Sequence, residues 1–449
     1  MTRPKVVIVG GGFAGIAAAR VFKRAEVDVV LIDRTNHHVF QPLLYQVATA
    51  TLAPSDIAVP IRWILRKEEN VRVLMGEVTG IDVAGRTVTI DNGAGTESYD
   101  FLIVASGARH AYFGHDEWEA LAPGLKSLDD ALTIRNRFLR AFEAAERCND
   151  SAEREALQTI VIVGGGPTGV ELAGIMATIA RDVLYDNFRR IDTRRTRVLL
   201  IEGGARILPA FPENLSADAL HDVEELGIEV RLNSVVTRID EGAVCVGEER
   251  IPTRTVFWAA GNAASPLGRM LGVAVDKAGR VVVEPDLSIP GHPEVFVVGD
   301  LAQVLRESGT LVPGVAPAAN QEGAWAAKNV LRTLRHQERT PFRYFNKGDL
   351  ATIGRHRAIA DFGVIDFTGV PAWLLWLFVH IMYLVGFRNR LTVLIQWAWA
   401  YFAYQRGSRL IVGKSLWGIR QARQVPAIDE RDGSDARLAP RAGAKAPVH

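Results

Sequence analysis

Two glycine fingerprints, Gly10-Gly11-Gly12-Phe13-Ala14-Gly15 and Gly164-Gly165-Gly166-Pro167-Thr168-Gly169, each follow a β-branched apolar run. Glycines at this spacing allow a positive φ in the turn, leave no Cβ where a pyrophosphate meets the backbone, and let a helix pack closely on a strand. The helix that starts there turns its free N–H groups and positive dipole end toward the phosphates. An acidic residue is then needed at the end of the next strand to accept the ribose hydroxyls. Asp33 closes Val27-Asp28-Val29-Val30-Leu31-Ile32-Asp33, and Glu202 closes Arg197-Val198-Leu199-Leu200-Ile201-Glu202. Two complete sets of this kind imply two dinucleotides in one chain.

The elements that must position these residues follow the strand-turn-helix order. Lys5 to Val9 and Thr159 to Val163 predict buried parallel strands, and Ile16 to Arg24 and Val170 to Val183 predict the helices after them. A later strand, Glu294 to Val298, ends in Gly299-Asp300, where an Asp can accept a flavin ribityl hydroxyl. If Asp300 closes the site opened by the first fingerprint, the second Rossmann unit is inserted in the sequence of the first. Phe101 to Gly107 and Thr255 to Gly261 each end in small residues, which suits backbone crossing near a cofactor or between domains. Val71 to Val78, Thr87 to Ile90, Ile228 to Leu232 and Ala243 to Val246 suggest short antiparallel strands inserted in each unit.

Bulk properties bound the reading. A chain of 449 residues is too long for one core, and 52 Lys+Arg against 51 Asp+Glu gives no reason to invoke nucleic acid. The two cysteines, Cys148 and Cys245, form neither a CxxC nor a metal-ligand spacing, so no metal site is expected. With the first strand beginning by Lys5, no room is expected for a signal peptide, and a cytoplasmic body is the expectation.

Beyond about residue 335 the composition changes. Tyr344 to Gly354 opens a small region with strands near Ala358 to Phe367, and Val370 to Phe387 then runs without a formal charge. Arg388-Asn389-Arg390 interrupts before Leu391 to Tyr404, rich in Trp and Tyr. One helix could span a bilayer, both could lie at its interface, or both could form a buried hairpin or dimer contact. Pro371 and Gly386 shorten the first helix and the second is too short to span, which favours the interfacial reading. There Trp373, Trp376, Trp397, Trp399, Tyr401 and Tyr404 would sit at headgroup level, with Arg388, Arg390, Arg406 and Arg409 meeting anionic lipid. From about Gln421 the tail has the composition of a disordered segment.

The two fingerprints, Gly299-Asp300, Val315 to Gly323, Lys347-Gly348 and Gly386-Phe387-Arg388-Asn389-Arg390 together resemble the type II NADH:quinone oxidoreductases of respiratory membranes. The resemblance covers about residues 4 to 412. It implies an α/β fold of two Rossmann-type dinucleotide-binding domains, the NADH domain inserted in the FAD domain, with a C-terminal membrane-associating helical region. The expected boundaries are 1–112 and 285–340 for the FAD domain, 113–284 for the NADH domain, 341–420 for the quinone and membrane region, and 421–449 for the tail. It also implies a single-subunit, non-proton-pumping enzyme on the cytoplasmic face of the membrane that passes electrons from NADH through FAD to menaquinone or ubiquinone. Whether it forms a homodimer is left open.

On that resemblance, Gly10, Gly12, Phe13, Ala14, Gly15, Asp33, Asp300 and Ala316 hold FAD, and Gly164, Gly166, Gly169 and Glu202 hold NADH. Glu202 also disfavours NADPH, whose 2′-phosphate a carboxylate would repel. Glu171 is expected on the quinone and proton side, although a carboxylate at a helix start also complements the dipole. Lys347 is expected to bring positive charge to the flavin pyrimidine edge, against the plainer alternative of a solvated surface lysine. Ala316 is followed by Pro317 where one form of the family has a glutamine, which leaves Gln321 as the polar contact for the quinone or as a helix N-terminal side chain bonded locally. Phe40 to Gln46 is expected as an apolar wall around flavin and quinone, or as core. Sulfide:quinone oxidoreductases and disulfide reductases are rivals that need redox cysteines placed otherwise, and a non-catalytic NAD(H)-sensing flavoprotein is a rival of another class.

Overall fold

Consecutive β-branched residues can fill a strand that is covered on both faces, and Val6, Val7 and Ile8 are wholly buried in the middle of such a sheet. The computed structural model describes residues 3–403 and 409–412. Its first sheet runs, edge to edge, Ser288–Ile289, His292–Val297, Phe101–Val104, Lys5–Val9, Asp28–Asp33, Val71–Met75. All its neighbours are parallel except the first pair. The second sheet has the order Glu229–Arg231, Arg197–Ile201, Thr159–Val163, Thr255–Trp258, parallel throughout. Each sheet carries a three-stranded antiparallel attachment, Val78–Asp82, Thr87–Ile90 and Gly95–Ser98 in one and Val236–Ile239, Ala243–Val246 and Glu249–Pro252 in the other.

This repeated plan corrects two expectations. Residues 71–75 and 229–231 are the outer parallel strands of the two Rossmann sheets, not members of the antiparallel inserts. At a sheet edge one face is half open, so these strands are only partly buried and lack the continuous apolar run of the inner parallel strands. The helices also start earlier than expected, at Phe13 and Pro167, directly on the fingerprint glycines that cap them.

The chain leaves the first unit and returns to it through one antiparallel ladder, Ala108–His110 against Asn262–Ala264. Ala264, Leu267, Leu271 and Val281 already pack in the first core, and Val281–Val282 pairs with Ala302–Gln303. The return therefore falls near residue 262 rather than at the expected 284. Helix Ala316–Leu334 closes this unit against Phe13–Val21, where a Cβ on Gly323 would stand 2.0 Å from the Ala14 carbonyl oxygen. The crossing admits only glycine at that position.

The C-terminal region is a three-stranded meander, Asp349–Gly354, Arg357–Asp361 and Asp366–Thr368, followed by helices Gly369–Tyr383 and Phe387–Ala403. Arg388-Asn389-Arg390 does not interrupt the apolar stretch but forms the start of the second helix, with Arg390 Nε donating to the Leu384 carbonyl at 2.7 Å. That bond satisfies a carbonyl at the end of the first helix. No helix among the described residues is long and apolar enough to cross a membrane. Val370, Leu374, Phe378 and Met382 form an exposed stripe at i, i+4 spacing, while Ala372 and Trp376 are buried. Leu391, Leu394, Ile395 and Trp399 are exposed on the second helix. Tyr404, Arg406 and the 421–449 tail lie outside the described residues.

Candidate functional site

Both dinucleotide cradles are built around backbone contacts that a side chain would break. A Cβ on Gly15 would come within 1.8 Å of the Gly10 carbonyl oxygen, and one on Gly169 within 1.8 Å of that of Gly164. Gly10 and Gly164 take φ of 108° and 111°. Gly12 and Gly166 are different, since nothing lies within 4 Å of a Cβ built there. Those are the positions left clear for a pyrophosphate at the helix N-terminus, so the residues present fit the two dinucleotides. A pair of variants separates the two kinds of glycine. Gly15→Val should prevent folding, whereas Gly12→Val should give a folded protein that purifies without flavin, read from its visible spectrum. Retained flavin in Gly12→Val would remove Gly12 from the phosphate site.

The acidic ends are preset by backbone donors. Asp33 accepts from the Gly11 N–H at 2.6 Å and from the Thr35 N–H and hydroxyl at 2.7 Å each. Glu202 accepts from the Gly165 N–H at 2.5 Å and the Gly204 N–H at 2.7 Å. These carboxylates are thereby held beside their own glycine turns. Glu202→Gln should narrow the preference for NADH over NADPH by about tenfold or more, because it removes a like-charge contact with the 2′-phosphate. An unchanged ratio of the two kcat/KM values would refute the ribose assignment.

Asp300 follows Gly299, whose φ is 71°, and lies 3.2 Å from a Cβ built on Gly314. The Gly299 N–H donates to Glu322 at 2.6 Å, and burial pushes the Glu322 carboxyl up to about 8. Ala316 begins the adjoining helix. His38, buried, donates from Nδ1 to the Gly11 carbonyl at 3.1 Å and meets the Phe13 ring edge-on. Glu322 and His38 were not singled out from sequence. The signal for Glu322 was its place before a mid-helix glycine, which marks close backbone approach.

Glu171 stands in the first turns of helix Pro167–Thr178 and faces a cavity of about 100 Å³. Its side chain is half-buried and lines that cavity. Burial pushes its carboxyl well above the usual carboxylate range, and a hydrogen bond from the Thr352 backbone opposes this only in part. Tyr45 and Gln46 supply a second wall, Thr352 to Arg355 a third, and Trp373, Trp376 and Trp397 come from the two C-terminal helices. A Cβ on Gly174 would stand 1.7 Å from the Ile353 carbonyl oxygen, so the meander docks directly on the second Rossmann helix and carries Thr352 to Glu171.

Trp376 and Trp397 thus point into the protein rather than to headgroup level. Trp376 is 3% exposed, and Trp397 Nε1 donates to Gln46 Oε1 at 2.8 Å. Trp373 lines the same cavity, which leaves Trp399, 63% exposed, on the outer surface. Gln321 and Lys347 belong to a separate local unit, and neither lines this cavity. Gln321 accepts from the Phe345 N–H and donates to its carbonyl, both at 3.0 Å, and also donates to the Pro317 carbonyl at 3.1 Å. Lys347 is exposed and donates to Tyr383 Oη at 2.8 Å, at the end of the first C-terminal helix. Cys148 and Cys245 are free thiols, and no His, Cys, Asp and Glu cluster among the described residues could hold a metal.

A family model for pyridine nucleotide-disulphide oxidoreductases matches residues 4–323, and one for the NDH2 C-terminal domain matches residues 346–404. The type II NADH:quinone oxidoreductase NdhA of Mycobacterium tuberculosis is 45% identical, over 97% of this chain and 94% of its own. The chain belongs to the type II NADH:quinone oxidoreductases. A second member from that organism, Ndh, is 44% identical over 97% of this chain and 96% of its own. The fold of the family is seen in NDH2 from Plasmodium falciparum in complex with NADH, with a TM-score of 0.83 at 23% identity, covering 92% of this chain and 100% of that one. The sulfide:quinone oxidoreductase of Aquifex aeolicus shares the architecture at a TM-score of 0.65 and 19% identity, covering 90% of this chain and 96% of its own.

Proposed function

We propose that this type II NADH:quinone oxidoreductase takes electrons from NADH through bound FAD and delivers them to a membrane quinone whose ring seats in the Glu171 cavity. The carrying observation is the composition of that cavity: one wall is the second Rossmann helix with Glu171, and another is made by the helices that present an apolar stripe outward. FAD, when bound, supplies the conversion of a two-electron hydride donor into a donor for quinone.

The chain supplies position, charge and a proton. Gly10, Gly12, Phe13, Ala14, Gly15 and Asp33 hold one half of FAD, with Asp300 and Ala316 on its other side. Gly164, Gly166, Gly169 and Glu202 hold NADH. Glu171, whose carboxyl burial pushes well above the usual carboxylate range, is placed in the cavity to offer a proton to an oxygen that gains electrons. Gln321 holds the backbone at Phe345, two residues before Lys347, whose charge is placed by its bond to Tyr383.

The exposed apolar stripes on 369–383 and 387–403 fit insertion into the interface of a bilayer, on the cytoplasmic face where NADH is supplied. The joint variant Phe378→Asp with Ile395→Asp should move the protein from the floated, vesicle-bound fraction to the free fraction in flotation with anionic vesicles. Unchanged vesicle binding would put the contact elsewhere.

Anaerobic stopped-flow spectra test the reaction itself. NADH should bleach the flavin rapidly, and a short-chain quinone added to the same sample should restore its absorbance. Bleaching without reoxidation by quinone would leave a flavoprotein with another acceptor or with an NADH-sensing role.

A further inference from the structure

We propose that the indole N–H of Trp376 is the donor that fixes a quinone carbonyl in the Glu171 cavity and thereby sets which rings the enzyme accepts. The inference rests on the reading of that cavity as the quinone site. Trp376 occupies the inward stripe of helix Gly369–Tyr383 and lines the cavity, yet its buried Nε1 has no hydrogen-bond partner. Buried donors without an acceptor are rare and destabilising, and this one persists at the wall of a ligand-sized space. The volume is of the order of the ~150 Å³ apolar cavity that takes up a benzene ring.

Four other donors around the space already have acceptors. Trp397 Nε1 is bonded to Gln46 Oε1, and Gln46 Nε2 donates to Tyr45 Oη at 3.1 Å. The Thr178 hydroxyl donates to the Gly174 carbonyl at 2.8 Å, and that of Thr352 points to the carbonyls of Gly354 and Arg357. The Trp376 ring is also held in place. His380 stacks on it with centroids 4.2 Å apart and planes 27° apart, and Trp397 lies 5.5 Å away at 34°. His380 Nδ1 lies 2.7 Å from the Trp376 carbonyl, which can only accept, so Nδ1 carries the hydrogen and ties the stacked ring to the helix turn below it. A fixed, dehydrated N–H on a residue that lines the cavity suits a ring whose polar groups are carbonyl oxygens.

A quinone offers two such oxygens on a flat ring. With one bonded to Trp376, the other is free to face the Glu171 carboxyl, which lines the same cavity. A site that commits a donor in this way discriminates strongly against rings without the matching acceptor. Trp376 is therefore a binding and specificity residue, distinct from Glu171, which handles the proton.

The test uses full-length, detergent-solubilised holoenzyme carrying β-(3-benzothienyl)-alanine at position 376, which keeps the ring shape and removes only the N–H. The KM for ubiquinone-1 and for menadione should rise about tenfold, the fold-change expected for one lost buried hydrogen bond. Anaerobic flavin bleaching by NADH, ferricyanide reduction and thermal midpoint should stay as in the parent. Trp376→Phe should reproduce the KM change. An unchanged KM with the benzothienyl side chain overturns the proposal. Ile175→Trp, which fills the cavity, separates the two readings: if it blocks quinone turnover while the benzothienyl protein keeps the parent KM, only the Trp376 assignment fails. If Ile175→Trp leaves quinone turnover intact, the cavity is not the quinone site and both readings fall.

Discussion

Replacing Glu171 with Gln should lower quinone-dependent kcat by about a hundredfold, the scale of a lost general acid, while leaving flavin reduction by NADH within about twofold. The split follows from position. Glu171 lies on the NADH-side helix but faces a cavity whose remaining walls come from Tyr45 and Gln46, the meander and the two C-terminal helices. An amide keeps the shape and can donate a hydrogen bond, but it has no proton to give. The pH profile adds a second readout. Burial raises the Glu171 carboxyl well above its ordinary range, so the protonated form persists above the usual carboxylate range and is lost as pH rises through the raised value. Quinone turnover of the parent should fall across that rise, and the Gln variant should show no such limb. Stability follows with the same sign. A group that binds its proton more tightly in the folded state makes unfolding easier as pH rises from its unfolded value to its folded one. Glu171→Gln should therefore lose less thermal stability than the parent on going from acid to neutral pH. Equal quinone kcat in both proteins would take the proton away from Glu171.

Gly174→Ala poses a contest between two effects of opposite sign. In an isolated helix the change should stabilise by about 1 kcal/mol, because glycine is a poor helix former. In this fold the new methyl would lie 1.7 Å from the Ile353 carbonyl oxygen, a backbone atom that no rotamer can move aside. Overpacking of that kind costs about 1–3 kcal/mol, so the clash should win. The meander Asp349–Asp361 should shift away from the helix, taking Thr352 from Glu171 and opening the cavity. Hydrogen exchange should report lost protection in residues 349–361, and the KM for a short-chain quinone should rise while ferricyanide reduction persists. Protection equal to the parent would mean that the docking is not set at Gly174.

The two glycine turns were legible because their constraints are local. Gly15 and Gly169 are required by carbonyls only five residues earlier, and Asp33 and Glu202 close strands that are buried runs of β-branched and leucine residues. The cavity was not legible, because its walls come from segments separated by more than three hundred residues, from Tyr45 to Trp397. Helix Gly369–Tyr383 is apolar on nearly every side, so its sequence names no inward face, and Trp376 was placed outward. Gly174 was readable in principle as a glycine inside a helix of otherwise good helix formers, but the partner it admits lies in another part of the chain. Gln321 was readable by position and not by bonding, since what it holds is the backbone at Phe345.

The paired crossing of Ala108–His110 and Asn262–Ala264 has a mechanical consequence. Two antiparallel tethers joined rung by rung resist torsion, where a pair of separate linkers would swivel. The nucleotide-binding halves therefore behave as a stiff chassis, and substrate traffic is left to side chains and short loops at its edges rather than to a swing of one half against the other.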